Sequence, residues 1–162
     1  MSLMTKRETY IEFPTQNKYS INYFMFKYYV VVFGFIVMAG NIFAQSNSLK
    51  NSILRGKIIY QQNCLSCHQE DGSGVRKLNP PLIKTSYVLG DSKKLSSIVL
   101  NGFNEEIEID GEYYSNPMPS FSTVLKDNEI ADVLTFIRNN FGNKASLITA
   151  KTVASVRALS KK

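Results

Sequence analysis

Two thiols and an imidazole fall within five consecutive residues, Cys64-Leu65-Ser66-Cys67-His68, and they are the only cysteines and the only histidine among 162 residues. Cysteines separated by two residues cannot staple a large loop, which leaves metal binding, thiol redox chemistry or cofactor attachment. A closed zinc site needs four ligands, and the chain has only three Cys and His in total. A thioredoxin-like redox pair expects a strand-helix-strand setting with a helix N-terminus lowering the thiol pKa; here the cysteines follow a segment patterned as a helix. The remaining reading is the Cys-x-x-Cys-His pattern of covalent haem attachment. Two thiols add to the two vinyl groups on one porphyrin edge, and the next side chain brings an imidazole nitrogen to the iron. A spacing of two residues lets one turn of backbone do all three.

The elements that must position this group are mostly helical. Ser52 is placed to cap a helix running to about Asn63, with Ile53, Gly56 and Tyr60 near one face. Asp91 or Ser92 caps a second, in which Leu95, Ile98 and Val99 repeat at helical spacing before Gly102. A third runs from about Asp127 to Asn140, with Ile130, Val133, Leu134 and Ile137 as its apolar stripe and Gly142 as its stop. A short basic helix is expected over 150–159, after Thr149. The exception is residues 107–114, IEIDGEYY, where Asp110-Gly111 suits a type I′ turn between two short strands. It leads into Asn116-Pro117-Met118-Pro119, whose prolines restrict the backbone and place Met118 on a stiff extended loop.

Residues 28–43, YYVVVFGFIVMAGNIF, carry no charge, follow Lys27 and lead to Ala44 and a polar run, the layout of a secretory signal. The stretch is shorter than the roughly 20 residues of a membrane-spanning helix. Cleavage after Ala44 is therefore expected rather than retention as an anchor. Residues 1–24 are polar and of mixed charge, unlike a signal's basic start, and read as an over-assigned start or a dispensable extension; 25–44 read as the signal and 45–162 as one domain with a basic tail. The net charge of +6 and pI of about 9.3 come with no basic run interleaved with aromatics, so no nucleic-acid partner is expected.

The sequence resembles the class I cytochrome c family over roughly residues 53–142. Beyond the attachment motif, the likeness lies in Gly72-Ser73-Gly74, Asn79-Pro80-Pro81-Leu82, Met118-Pro119-Ser120-Phe121 and LKDNEIADVLTFIRNNFGN at 125–143. The resemblance implies an all-α cytochrome c fold, a small helical domain around one haem c and its iron, with a short hairpin before the methionine loop. It implies Cys64 and Cys67 as attachment points and His68 and Met118 as iron ligands. It also implies a backbone carbonyl, of Pro80 or else Pro81, accepting a hydrogen bond from the imidazole. Met118 is the only methionine after Ala44. Gly56, Tyr60 and Phe136 match the positions where the first and last helices of the fold cross. The stretches GEYYSNPMPSF and EIADVLTFIRNNFGN are similar to cytochromes paired with periplasmic quinoprotein dehydrogenases or with terminal reductases and oxidases. Lys126 stands where a capping Ser or Thr is usual, and Phe141 where Trp is often found. The implied function is an extracytoplasmic single-electron carrier, not an enzyme, with redox proteins as partners. Two other readings fit the same residues: a haem enzyme or gas sensor from which Met118 dissociates, and a fixed electron-transfer subunit of a dehydrogenase or oxidase complex. Carboxylates at 105, 106, 108, 110 and 112 on the hairpin, against Arg76, Lys77 and Lys84 after the attachment motif, could steer a partner.

Overall fold

Helix α1 covers Lys18–Asn63 in the computed structural model, which describes residues 18–160 and the side chains of all of these except 18–24 and 34–46. Contacts divide the chain into two units, residues 1–43 and 44–162. Most of the expected N-terminal extension and the side chains around the expected cut at Ala44 thus lie outside the described residues. Among the described residues no helix is long and apolar enough to cross a membrane.

In the second unit α1 is followed by α2 (Leu65–His68), α3 (Ser86–Leu89), α4 (Ser92–Asn101), the antiparallel strands β1 (Ile107–Ile109) and β2 (Glu112–Tyr114), α5 (Asp127–Ile137) and α6 (Ala150–Ser160). The expected helix start at Ser52 is corrected: α1 is already helical there, so its amides need no cap. Ser52 is buried instead, and its hydroxyl donates to Asp132 Oδ1 on α5 at 2.7 Å. The other three expected helices begin where the sequence places them, at Ser92, Asp127 and Ala150. Asp91 accepts the Lys93 N–H at 2.9 Å, and Gly102 ends α4 at a φ of 77°. Asp110 and Gly111 take the two positive-φ positions of the hairpin, at 51° and 81°.

Lys126 cannot accept a hydrogen bond with its side chain, and α5 is capped by other means. The Glu129 carboxylate accepts the Lys126 N–H at 2.7 Å, and Arg157 of α6 pairs with Asp127 at 2.6 Å and donates to Leu125 O at 2.9 Å. α5 ends at Ile137, short of Asn140, where the Ile137 carbonyl is taken by the Asn143 side chain at 2.8 Å.

The core forms where α5 and α6 meet α4 and α1. Ile130, Leu134, Leu100 and Val153 are almost wholly enclosed, each contributing about 1.5–3 kcal/mol relative to exposure. Gly56 lies at the crossing of α1 and α5, where an added Cβ would stand 2.7 Å from Phe136 Cβ. The absent side chain lets the helices close, and Tyr60 stacks obliquely on Phe136 with centroids 5.3 Å apart. Phe141 completes a three-ring cluster, 5.4 Å from Tyr60 and 5.7 Å from Phe136.

Candidate functional site

The residues expected to attach the cofactor sit at the break between α1 and α2. Cys64, with φ −120° and ψ −28°, leaves the helix while its N–H still donates to Tyr60 O at 2.9 Å. One short turn follows, and the His68 N–H returns to Cys64 O at 2.9 Å. Gln69 then reverses the chain at a φ of 64°, and its carbonyl is held by the Tyr60 hydroxyl at 2.6 Å. The loop folds back beneath the histidine: Gly74 N donates to His68 O at 3.1 Å and Val75 N to Asn79 O at 2.9 Å. This brings the carbonyl of Pro80, not Pro81, to 3.0 Å from His68 Nδ1.

The segment bearing Pro80 is anchored from behind. Leu82 N donates to Gly72 O at 2.8 Å, and the buried Asn143 amide holds Leu82 O at 2.8 Å and Lys84 N at 2.7 Å. All of these side-chain polar atoms have partners, as a buried amide requires.

Met118 arrives from the other direction. It follows β2 and pairs with Phe103 as an isolated antiparallel bridge, with Met118 N donating to Phe103 O at 2.8 Å and Phe103 N to Met118 O at 3.0 Å. Phe121 N then ties the chain to Val99 O of α4 at 3.0 Å. Two amides join this loop to the one under His68: Asn116 Nδ2 donates to Asn79 Oδ1 at 2.7 Å, and Asn116 N to Leu78 O at 3.2 Å. Arg76 and Glu112 add an exposed ion pair between the same two segments.

Cys64, Cys67, His68, Pro80 and Met118 all line one cleft of about 1250 Å³ of non-protein space, part of it open solvent. Its other walls are chiefly apolar, among them Leu82, Ile98, Val99, Phe103, Ile107 and Leu134. Such a cleft penalises charge. Burial pushes the Cys64 thiol up to about 12, with the neighbouring Cys67 adding to the effect. Burial likewise lowers the His68 pKa, against the opposing pull of the Pro80 hydrogen bond. Since a carbonyl can only accept, Nδ1 carries the proton, and a neutral ring then keeps its Nε2 lone pair for a metal.

This donor set fits a covalent haem. Two free cysteines, a neutral imidazole fixed in tautomer and orientation, and a thioether line the same apolar cleft, and conversion of the thiols to thioethers leaves no charge in a place that resists it. Among the described residues no cluster of three or more His, Cys, Asp or Glu could hold a separate metal ion.

Several residues around this site had no role expected of them from the sequence. Asn79 and Asn116 each precede a proline, a weak signal of matched turns. Arg138 falls four residues after Leu134, on the buried stripe of α5, and its guanidinium donates to Val88 O at 2.7 Å, Gly90 O at 3.2 Å and Ser146 O at 3.3 Å. Asp132 is buried between Ser52 and Arg55. Nothing in the local spacing marks Asn143.

The cytochrome c family model matches residues 53–141, more than half of the chain. The chain is 33% identical over 125 residues to the gluconate 2-dehydrogenase cytochrome c subunit of Pantoea cypripedii, covering 72% of this chain and 28% of that protein. It is 34% identical over 108 residues to the alcohol dehydrogenase (quinone) cytochrome c subunit of Gluconobacter oxydans, covering 63% and 22%. It is 33% identical over 133 residues to cytochrome c-552 of Thermus thermophilus, covering 76% and 83%. The chain thus spans about a quarter of the length of the two dehydrogenase subunits and most of the length of cytochrome c-552.

Proposed function

The chain belongs to the cytochrome c family, and from that premise we propose that Cys64 and Cys67 bind haem c covalently while His68 and Met118 occupy its two axial positions. The protein is an electron carrier, and haem c, when bound, supplies an iron that gives and takes one electron. The observation that carries the residue assignment is the convergence of all four side chains on one apolar cleft, with His68 Nδ1 committed to Pro80 O at 3.0 Å.

Each residue then has a defined task. Cys64, turned inward, and Cys67, at the surface, attach the cofactor at a point that reaches solvent, where a partner can approach. His68 presents Nε2 because its other nitrogen is held. Met118 offers a soft, neutral sulfur, a ligand type that raises the reduction potential. With His68 and Met118 both held by the fold, a haem bound between them would gain or lose an electron with little rearrangement of the protein.

The working location is extracytoplasmic, supported by the uncharged stretch at 28–43 behind Lys27. The electron donor is a dehydrogenase, supported by the names of the relatives from Pantoea and Gluconobacter, and contact is through a small transient interface.

The decisive experiment is Met118→Ala in the exported holoprotein. The wild type should be low-spin and show the weak near-infrared charge-transfer band of iron bound to a thioether; the variant should lose the band and drop in potential. An unchanged band and potential in Met118→Ala would remove Met118 from the iron. For the attachment, haem that leaves the wild-type polypeptide in acid acetone would refute Cys64 and Cys67 as attachment points.

A further inference from the structure

Two glycines stand behind the two axial ligands. Gly102 ends α4 with φ 77° and ψ −177°, a region open essentially only to glycine. A Cβ there would stand 2.6 Å from Met118 O, 3.0 Å from Ser120 N and 3.1 Å from Pro119 C, all of them backbone atoms. Gly74, at φ 69°, occupies the corresponding place beneath His68: a Cβ would stand 2.7 Å from Pro80 O and 2.8 Å from Pro80 C, and closer still to Asn79 O. In both cases no side chain can swing away to make room.

The geometry points to Gly102 and Gly74 as positioning residues, each seating one axial ligand through the backbone that bears or orients it. This rests on Met118 and His68 being the ligands. Gly102 lets the end of α4 lie flat against the Met118 loop, so that Phe103, the next residue, forms both hydrogen bonds of its bridge to Met118. The sulfur is thereby held by α4 as well as by the flanking prolines. Gly74 donates to His68 O and at the same time allows the Pro80 carbonyl to reach His68 Nδ1. Widening that gap would weaken the hydrogen bond that makes the imidazole a stronger electron donor.

The two halves make separable predictions. Gly102→Ala in the holoprotein should weaken the near-infrared band and speed displacement of Met118 by added imidazole roughly tenfold or more, as backbone strain of this kind produces. It should leave the exchange rate of the His68 Nδ1 proton unchanged. Gly74→Ala should do the reverse, raising Nδ1 proton exchange and raising the potential, because a less basic imidazole favours the oxidised iron less, while the near-infrared band stays. Gly111 also has positive φ, at 81°, but an added Cβ would meet nothing within 4 Å, so Gly111→Ala should move neither signal. The inference is overturned if Gly102→Ala and Gly74→Ala shift both signals alike, or neither, or if Gly111→Ala reproduces the effect of Gly102→Ala. Met118→Ala, run alongside, separates the two levels: retention of the band in that variant sinks the ligand assignment itself. Should Gly102→Ala yield no holoprotein, wild-type hydrogen exchange replaces it. Displacing Met118 with imidazole should then accelerate exchange of the Phe103 and Met118 amides together, and unchanged exchange of both would refute the seat.

Discussion

Gly56→Ala sets two physical effects against each other, and the structure decides the sign. Within a helix, alanine is favoured over glycine by about 1 kcal/mol, so propensity alone predicts a more stable protein. At this position the new methyl would lie 2.6 Å from the Asp132 carbonyl carbon and 2.7 Å from Phe136 Cβ, whereas ordinary contact begins at 3.4 Å. The neighbours of the methyl include the backbone of α5, so the helices themselves must part by roughly 1 Å, on the scale at which a packed contact forfeits a quarter to a half of its dispersion energy. That displacement acts on the ring pair of Tyr60 and Phe136 and on the 2.7 Å hydrogen bond from Ser52 to Asp132. Overpacking costs about 1–3 kcal/mol and weakening a hydrogen bond to a charged group about 1.5–3 kcal/mol. After subtraction of the propensity gain, the net loss is about 1.5–5 kcal/mol. Guanidinium unfolding of the holoprotein followed by far-ultraviolet circular dichroism measures it, and a domain of this size should lose on the order of 10 °C in Tm. A Gly56→Ala midpoint equal to or above that of the wild type would refute the close helix crossing.

Asp132→Asn should destabilise the fold by about 1–2 kcal/mol by weakening charge-assisted bonds at a buried site, whereas Arg55→Ala should cost under about 1 kcal/mol because the Arg55 side chain is 60% exposed; denaturant midpoints of both variants check the order. Arg138→Ala strands the carbonyls of Val88, Gly90 and Ser146 and should cost about 2–4 kcal/mol, and Arg138→Lys should not restore it, since one ammonium cannot reproduce the guanidinium fork. Arg76 holds the Glu112 carboxyl below the usual carboxylate range, chiefly through their hydrogen bond. A depressed folded pKa means that the pair's stabilisation is present above the unfolded pKa and lost as pH falls through the folded one. The Tm difference between wild type and Glu112→Gln should therefore be seen at neutral pH and vanish in acid, and a difference that persists when the carboxylate is protonated would contradict the pairing.

What could be read in the sequence was whatever is local. Cys64, Cys67 and His68 share one turn, so their spacing alone carries their chemistry. Asp91 with Gly102, and Asp110 with Gly111, encode a helix and a hairpin through backbone preferences that act within a few residues. Ser52 misled because a capping residue is recognised by what precedes it, and the preceding residues were helical. The buried polar groups were hidden for another reason. Asp132, Arg138 and Asn143 look like surface residues by type, and only their partners 80, 50 and 61 residues away make their burial tolerable. Thr85, which caps α3 by accepting the Val88 N–H at 3.2 Å, was passed over because a four-residue helix leaves no periodic trace.

The two residues proposed as axial ligands differ in the same way, and the difference bears on how the site would set its potential. His68 is placed by residues within twelve positions of it, through Gly74 and Pro80. Met118 is placed by α4 and by a hairpin loop, elements far from residues 64–68 in sequence. The attachment side is therefore defined by a short segment, while the methionine side depends on the whole domain having packed. The walls of the cleft then act on both. They disfavour the Cys64 thiolate and the His68 imidazolium for one reason, burial, and the same reason applies to any net charge placed between them. A haem held there by Met118 and His68 would gain a positive charge on losing an electron, and neither residue brings a negative one to offset it. Apolar walls and two neutral ligands thus act in the same direction, favouring the reduced state and a higher potential than a more solvated site with the same ligands would have.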